Sequence, residues 1–213
     1  MRLLSDRHEV ADDPEVIQAY LEAREWGDGL PVVPPTPERV ERMVAGSGRP
    51  PDDVIAEVDP RKGVATVEKI AVNAVMAGCR PEYMPVLIAA VESVADPAFN
   101  LHGIQATTNP VGPLLVVNGP VRRRIDLNCG RNALGPGRRA NATIGRALRL
   151  ILLHIGGGLP DRIDKSTLGM PGKYTFCLGE NEEESPWEPL HVERGFRAEE
   201  STVTAVGAQG THN

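Results

Sequence analysis

The chain has 213 residues, of which 41% are hydrophobic and 24% charged, and its formal net charge is −6. This length and composition predict a single domain over residues 1–213 and exclude a fibrous or wholly disordered chain. No apolar run is long enough to cross a bilayer, and the first residues turn acidic before a signal-peptide core could form, so we expect a cytoplasmic protein with no membrane partner.

Positive charge is concentrated in one segment of this acidic chain. Residues 122–154 contain eight arginines and one acid, Asp126, so the segment carries +7 and the rest of the chain −13. Such a segment suits either a small anionic molecule or the acidic surface of a partner protein. Nucleic acid is not expected as a partner, because the whole chain is acidic and only 4% of it is aromatic.

The first third of the chain predicts two helices joined by an irregular segment. Asp13 is a capping residue for a helix that ends near Trp26. The proline- and glycine-rich segment that follows predicts an ordered loop laid across the domain. Thr36 then begins a second helix, for which Gly46 is the predicted stop.

The next elements are a strand and a helical hairpin. The strand is predicted at Val54–Val58, and it is followed by a helix from Thr66 to Gly78. A second helix starts at Pro81 and ends before Pro97, and its apolar residues cover nearly all sides. We expect this hairpin to lie at the centre of the core.

The last part of the chain predicts a strand, a glycine-rich loop and a helix in that order. The strand is Leu114–Val117, and the helix that follows the loop ends at residues 156–158. Two later strands are predicted at Tyr174–Leu178 and Thr202–Val206. The fold class expected is therefore α/β, or α+β, with a small mixed sheet and helices packed on it.

The glycine-rich loop is a candidate anion site. Glycines allow the backbone to approach a ligand closely, and the helix that follows offers free N–H groups to it. Asn141 or Thr143 could cap that helix. Neither a Walker loop nor a dinucleotide fingerprint is present, so nucleotide binding is not supported and the cofactor stays unknown. A structural tight turn is the alternative. The residues assigned to the ligand here are Gly135, Gly137, Arg138, Arg139 and Asn141.

Three cysteines without a CxxC spacing predict free thiols. Cys79 precedes a predicted helix start and Arg80, a setting that favours a thiolate, although a buried and inert cysteine is the alternative. Cys177 lies at the end of a predicted strand, beside Glu180 and Asn181, and Cys129 lies in the arginine-rich loop. Cys79 and Cys177 are the candidate catalytic thiols, and Asn181 is a candidate ligand contact.

A polar loop supplies the remaining candidates. Thr107, Thr108 and Asn109 could shape a substrate pocket or could satisfy backbone groups in an irregular loop. His102 is the candidate general base, with Glu180 or Glu182 as the acid partner. A metal site built from His102, Cys177, Glu180 and His191 has no diagnostic spacing, so we assign no metal ligands.

Five phrases of the sequence carry a family resemblance. They are WGDGLPVVPPTPERV, AVNAVMAGCRPEYMPVLIAAVE, TTNPVGPLLVVNGP, NALGPGRRANATIGRALRL and GKYTFCLGENEEESPWEPLHVERGF. Together they resemble a bacterial family associated with proteins named for a UGSC motif, whose first position is selenocysteine or cysteine. Members of that family are often labelled thioredoxin-like, so the resemblance implies redox chemistry or chemistry by a soft nucleophile. This chain contains no UGSC tetrapeptide. If that motif carries the chemistry, it is supplied by a second polypeptide, or this chain is a diverged member of the family with a different function.

Three functions follow as expectations. The first is an enzyme or enzyme subunit that acts on a small anionic or sulfur-containing substrate by cysteine-dependent chemistry. The second is a lyase or hydrolase that uses His102 and Glu180 as acid and base. The third is a non-catalytic subunit that partners a catalytic UGSC-type chain. The protein partner expected is such a second chain or another copy of this chain in a homo-oligomer. The sequence ends seven residues after Val206, which agrees with completion by a second chain, a frayed end being the alternative.

Overall fold

The computed structural model describes residues 2–211, so the predicted end of the chain at His212 and Asn213 lies outside the described residues. The first half contains a two-stranded antiparallel hairpin among helices. Its elements are α1 (Pro14–Glu22), α2 (Pro37–Ser47), β1 (Val54–Val58), β2 (Gly63–Thr66), α3 (Val67–Ala77), α4 (Met84–Ala95) and α5 (Leu101–Gln105), with 3₁₀ turns at Pro81–Tyr83 and Pro97–Phe99.

The elements of the second half are β3 (Gly112–Asn118), α6 (Val121–Arg124), α7 (Arg139–His154), β4 (Cys177–Gly179), α8 (Leu190–Glu193) and β5 (Thr202–Ala208), with a 3₁₀ turn at Pro171–Lys173. The three strands form a sheet of order β4-β3-β5, in which β3 is parallel to β4 and antiparallel to β5. The small mixed sheet with helices packed on it confirms the predicted α/β class.

One continuous hydrophobic core joins the two halves. It is formed by α3, α4 and α7 together with the inward-facing side chains of β3, Leu115 and Val117, and it extends to Cys177 on β4. Helix α7 is the longest helix, with sixteen residues, and ten of them are buried. The glycine-rich connection that precedes α7 and the strand β3 form the strand–loop–helix centre expected from the sequence.

Several predicted boundaries need correction. Helix α2 continues past Gly46 to Ser47, and Gly48 in the left-handed conformation ends it. Helix α7 begins at Arg139 without a side-chain cap, so neither Asn141 nor Thr143 caps it. Strand β4 has three residues, Cys177–Gly179, rather than the five predicted at Tyr174–Leu178. Its pairing with β3 starts only at Cys177, and Tyr174 belongs to the end of the 3₁₀ turn Pro171–Lys173.

The loop between α1 and α2 is ordered, as predicted. Arg146 on α7 forms a bidentate salt bridge with Asp28, with distances of 2.7 and 2.8 Å, and also donates to the carbonyls of Leu30 and Pro31. The N–H of Val33 donates to the carbonyl of Met76 at the end of α3. The loop therefore lies between α7 and α3 and is held at both.

Across residues 2–211, no single helix is long and apolar enough to span a membrane. The neighbouring helical segments Pro81–Ala95 and Pro97–Gln105 reach that length and apolar composition only when they are counted together, and the chain bends by 67° between them.

Replacement of Gly46 by alanine tests how closely α2 packs on the turn after α3. A Cβ atom at Gly46 would lie 2.3 Å from the carbonyl oxygen of Pro81, so the helix would have to shift. We expect Gly46→Ala to lower the free energy of unfolding by about 1–3 kcal/mol, measured by urea denaturation. Helix propensity alone predicts the opposite sign, a gain of roughly 1 kcal/mol. In the control Gly27→Ala nothing lies within 4 Å of the added Cβ, and equal effects of the two substitutions would contradict the close contact.

The Arg146–Asp28 pair predicts a specific loss of stability in acid. Burial opposes ionisation of Asp28, but the hydrogen bonds and charge of Arg146 outweigh it, and the pKa of Asp28 lies below its ordinary value of 3.8. The contribution is therefore fully present above pH 3.8 and is lost as the pH falls through the lower pKa of the folded protein. We expect Asp28→Asn to cost about 3 kcal/mol at pH 7, because it leaves a buried guanidinium without its counter-ion, and to cost little once the pH is below the folded pKa.

The matched control for this pair is Glu25→Gln, which breaks the exposed ion pair between Glu25 and Arg162. It should cost no more than about 1 kcal/mol at pH 7. Urea denaturation of both variants between pH 2.5 and 7 gives the comparison. A cost for Asp28→Asn that does not change with pH would show that the ion pair does not carry the effect.

Candidate functional site

A cavity of about 150 Å³ opens between α2, the end of α3 and the start of α7. We call it the arginine pocket, because three arginines line it while, among residues 2–211, no acidic residue or histidine does. The lining residues are Val33, Arg39, Arg42, Met43, Val75, Gly78, Cys79, Pro81 and Arg139.

Helix α2 supplies one wall of the arginine pocket. Arg39 and Arg42 are three residues apart and so lie on the same side of the helix, and Met43 beside them is buried. The close contact between Gly46 and the carbonyl of Pro81 fixes the distance between this helix and the opposite wall. The pocket is therefore formed before any ligand arrives.

The opposite wall is the turn that ends α3. Gly78 has φ +87°, its N–H donates to Val75, and the N–H of Cys79 donates to the carbonyl of Ala74, which together form a Schellman motif. Arg139, the first residue of α7, donates from Nε to the carbonyl of Gly78 over 2.8 Å. This bond joins the end of α3 to the start of α7 and leaves the two terminal nitrogens of Arg139 for other partners.

The arginines of the pocket are not neutralised by the lining residues. Arg39 donates one terminal nitrogen to the carbonyl of Pro34 over 2.8 Å, a neutral partner. The side chain of Arg42 forms no hydrogen bond or ion pair with any residue from 2 to 211. The pKa of Glu38 is lowered chiefly by hydrogen bonds from its own backbone and from Thr36, and to a smaller extent by the charge of Arg42. The pocket thus holds excess positive charge.

Cys79 lines the pocket, but its surroundings favour the neutral thiol. Its Sγ donates to the carbonyl of Thr143 over 3.3 Å, and burial raises its pKa to about 12. The sequence predicted a helix N-terminus next to this residue. In the structure Cys79 lies between the C-terminus of α3 and the 3₁₀ turn Pro81–Tyr83 that leads into α4, so a helical N-terminus does follow it. The carbonyls at the end of α3 and the burial of the thiol nevertheless oppose a negative charge on Cys79.

The other thiols do not line the pocket. Cys177 is buried in β4, where burial and the neighbouring thiols Cys79 and Cys129 raise its pKa above the ordinary value. Cys129 is half-buried, donates to the carbonyl of Leu127 and accepts a hydrogen bond from Arg122. Cys129 is thus the most accessible of the three thiols.

The predicted anion loop contributes only Arg139 to the pocket. Arg138 forms an exposed ion pair with Asp126 over 2.8 Å, and Gly135 and Gly137 lie in the surface connection before α7. Asn141 is buried inside α7 and exchanges hydrogen bonds with the backbone of Asn128 while its amide also donates to Ala133 and Cys177. Its side chain therefore organises the loop and β4 and does not face a ligand.

The proposed acid–base pair is separated by the length of β3. His102 lies on α5 at the start of the strand, where Ile104 approaches Gly207, the partner of Pro113. The N–H of Glu180 donates to the carbonyl of Val117 at the other end of the strand. Four residues of strand separate these two ends, which corresponds to about 13 Å. The structure thus does not bring His102 and Glu180 together.

The remaining candidates have structural partners. The backbone carbonyls of Thr107, Thr108 and Asn109 accept hydrogen bonds from residues 165–167, which ties the polar loop to a neighbouring segment. Asn181 donates to Glu184 on the surface. Within residues 2–211, no group of three His, Cys, Asp or Glu side chains is arranged to hold a metal ion.

The acidic loop after β4 neutralises a buried arginine. Arg122, whose side chain is 4% exposed, forms ion pairs with Glu182 and Glu183 and donates to the carbonyl of Glu180. The hydrogen bond and charge of Arg122 lower the pKa of Glu183 to about 2. His191 is buried beside this cluster, with its Nδ1 3.9 Å from Glu182.

The basic segment 122–154 is therefore largely neutralised within the chain. Five of its eight arginines form ion pairs, and one more, Arg139, lines the pocket. The paired arginines are Arg122, Arg123, Arg138, Arg146 and Arg149. The large charge segregation along the sequence does not produce an equally large basic surface.

The sequence did not point to Arg39 and Arg42. Their spacing places them on one side of a helix, which is a detectable signal, but a charged helix side is usually a solvated one. The pocket forms only because that side faces the turn at Gly78 and the start of α7.

No protein-family model, curated protein or solved structure matches this chain.

The thiols provide a direct test of the site. We expect Cys79 and Cys177 to resist iodoacetamide between pH 6 and 9 in the folded protein, because both are buried and their pKa values are raised. Cys129 should be alkylated first, because it is the most accessible. Mass spectrometry of tryptic peptides measures each site, with urea-unfolded protein as the control for complete labelling. Alkylation of Cys79 with an apparent pKa below the free-thiol value of about 8.5 would restore the thiolate mechanism.

Proposed function

We propose that the protein binds a small anion in the arginine pocket. The observation that carries the proposal is that three arginines, from two helices, line one cavity that has no acidic lining residue among residues 2–211. Arginine presents fixed, planar donors that match carboxylate and phosphate oxygens. A cavity that concentrates positive charge without internal compensation gains free energy when an anion enters it.

The pocket has the further features of a binding site. Arg139 is held by Gly78, Arg39 is held by Pro34, and α2 is fixed against the turn at Pro81. Side chains that are already ordered lose little entropy on binding. The function proposed for this site is the recognition of the small anionic substrate expected from the sequence.

Cysteine-dependent chemistry is the weaker part of the expected function. Cys79 lines the pocket, which supports a contact between its thiol and the ligand. A nucleophilic thiol needs a proton acceptor, however, and none of the nine lining residues is a histidine or an acid. An anion in the pocket would disfavour the thiolate further. We therefore propose binding as the primary role and Cys79 as a neutral contact.

The partner-subunit hypothesis receives less support. It requires the basic segment to dock on an acidic chain, yet five of the eight arginines already have acidic partners in this chain. The anion-binding proposal uses one of the arginines that do not, Arg139, together with two from outside the segment.

Thermal unfolding in the presence of anions tests the proposal. At constant ionic strength and pH 7, phosphate or succinate at about ten times its Kd should raise the Tm of the wild-type protein by roughly 3–6 °C. Arg42→Gln removes a lining charge whose side chain forms no hydrogen bond or ion pair within residues 2–211, and it should lose most of this increase.

The matched control is Arg124→Gln, which removes the same charge from an exposed position outside the pocket. It should keep the anion-dependent increase in Tm. Equal responses of the two variants, or the absence of any anion effect on the wild-type protein, would contradict binding in the pocket.

A further inference from the structure

We infer that the ligand of the arginine pocket is a short aliphatic dicarboxylate of four or five carbons. This inference rests on the proposed function and specifies its substrate class. Three observations support it: the arrangement of the free donors, the apolar part of the lining, and the size of the cavity.

The donors that are left free are numerous and come from different helices. Arg42 on α2 has its whole guanidinium available within residues 2–211, and Arg139 on α7 has both terminal nitrogens available. Arg39 keeps Nε and one terminal nitrogen. A ligand with one charged group can satisfy one such fork, whereas a ligand with two can engage α2 and α7 at the same time.

The charge of the lining also favours a dianion. The three guanidinium groups carry +3, and none of the lining residues in the described part of the chain is a carboxylate that would compensate them. A monocarboxylate would leave most of this charge uncompensated. Two carboxylates neutralise two of the three arginines, Arg42 on α2 and Arg139 on α7, while Arg39 keeps its hydrogen bond to the carbonyl of Pro34.

The rest of the lining is apolar. Val33, Met43, Val75 and Pro81 contribute hydrocarbon to the cavity, and the neutral Cys79 thiol adds a soft, weakly polar surface. A compact inorganic anion such as phosphate has no group that packs on these side chains. The methylene groups of an aliphatic diacid do, and their burial against these side chains favours binding.

The cavity limits the size of the ligand. Its volume of about 150 Å³ matches that of an engineered protein cavity that holds one benzene molecule, that is, about six non-hydrogen atoms. The two to three methylenes of a four- or five-carbon diacid, together with part of its carboxylates, fill such a space. Larger acids, and nucleotides above all, exceed it.

Calorimetric titration with four anions tests the assignment. Succinate, glutarate, butyrate and phosphate are each titrated into the full-length protein at pH 7 and constant ionic strength. We expect succinate or glutarate to bind at least about tenfold more tightly than butyrate, which lacks the second charge, and than phosphate, which lacks the apolar body. Arg42→Gln should weaken diacid binding at least about tenfold and bring it close to that of butyrate.

The outcomes separate the inference from the proposed function. If phosphate or butyrate binds as tightly as the diacids, and binding still depends on Arg42 but not on the control Arg124, the dicarboxylate assignment is wrong while anion binding stands. If no anion binds, or if Arg124→Gln weakens binding as much as Arg42→Gln, both fail. Circular dichroism of each variant confirms that the comparison is made between folded proteins.

Discussion

The structure depends on how the arginines of a mostly buried helix are neutralised. Ten of the sixteen residues of helix α7 are buried, so a guanidinium that lies close to the core needs a partner nearby. Arg146 binds Asp28 and thereby holds the loop between α1 and α2, and Arg149 binds Asp164, which also pairs with Lys173. Two irregular segments are thus ordered by charges on one helix. At the start of α7 no acid among residues 2–211 forms an ion pair with Arg139, and the arginine pocket lies there.

Local signals in the sequence were sufficient for most elements of the fold. Asp13 caps α1, Thr66 caps α3 and Gly78 ends it, because these effects depend on a few neighbouring residues. Gly46 was misread for a reason that is not local. Its missing side chain serves the contact of α2 with Pro81, not the end of the helix. The strand β2 was missed because it is a four-residue strand whose partner is only the preceding β1.

The site was less predictable than the fold, because it depends on contacts between distant segments. Cys79 and Arg139 were identified from sequence, and the structure brings them to one cavity. The expected thiolate was not supported, since Cys79 follows the end of α3 and is buried, and a sequence does not report burial. Asn141 shows the same limitation. A polar residue beside a glycine-rich loop suggested a ligand contact, yet its amide holds the loop and β4 together.

The division of the pocket between two kinds of wall has a consequence for how such a protein could diversify. The wall formed by α3 and α7 belongs to the core, and changes there disturb the whole domain. The wall formed by α2 presents Arg39 and Arg42 from a helix side that is partly in solvent, where substitutions cost little stability. Related chains could therefore exchange one small acid for another through two or three substitutions on this helix. Substitutions on α2 can therefore change which acid is bound while the wall formed by α3 and α7 stays the same.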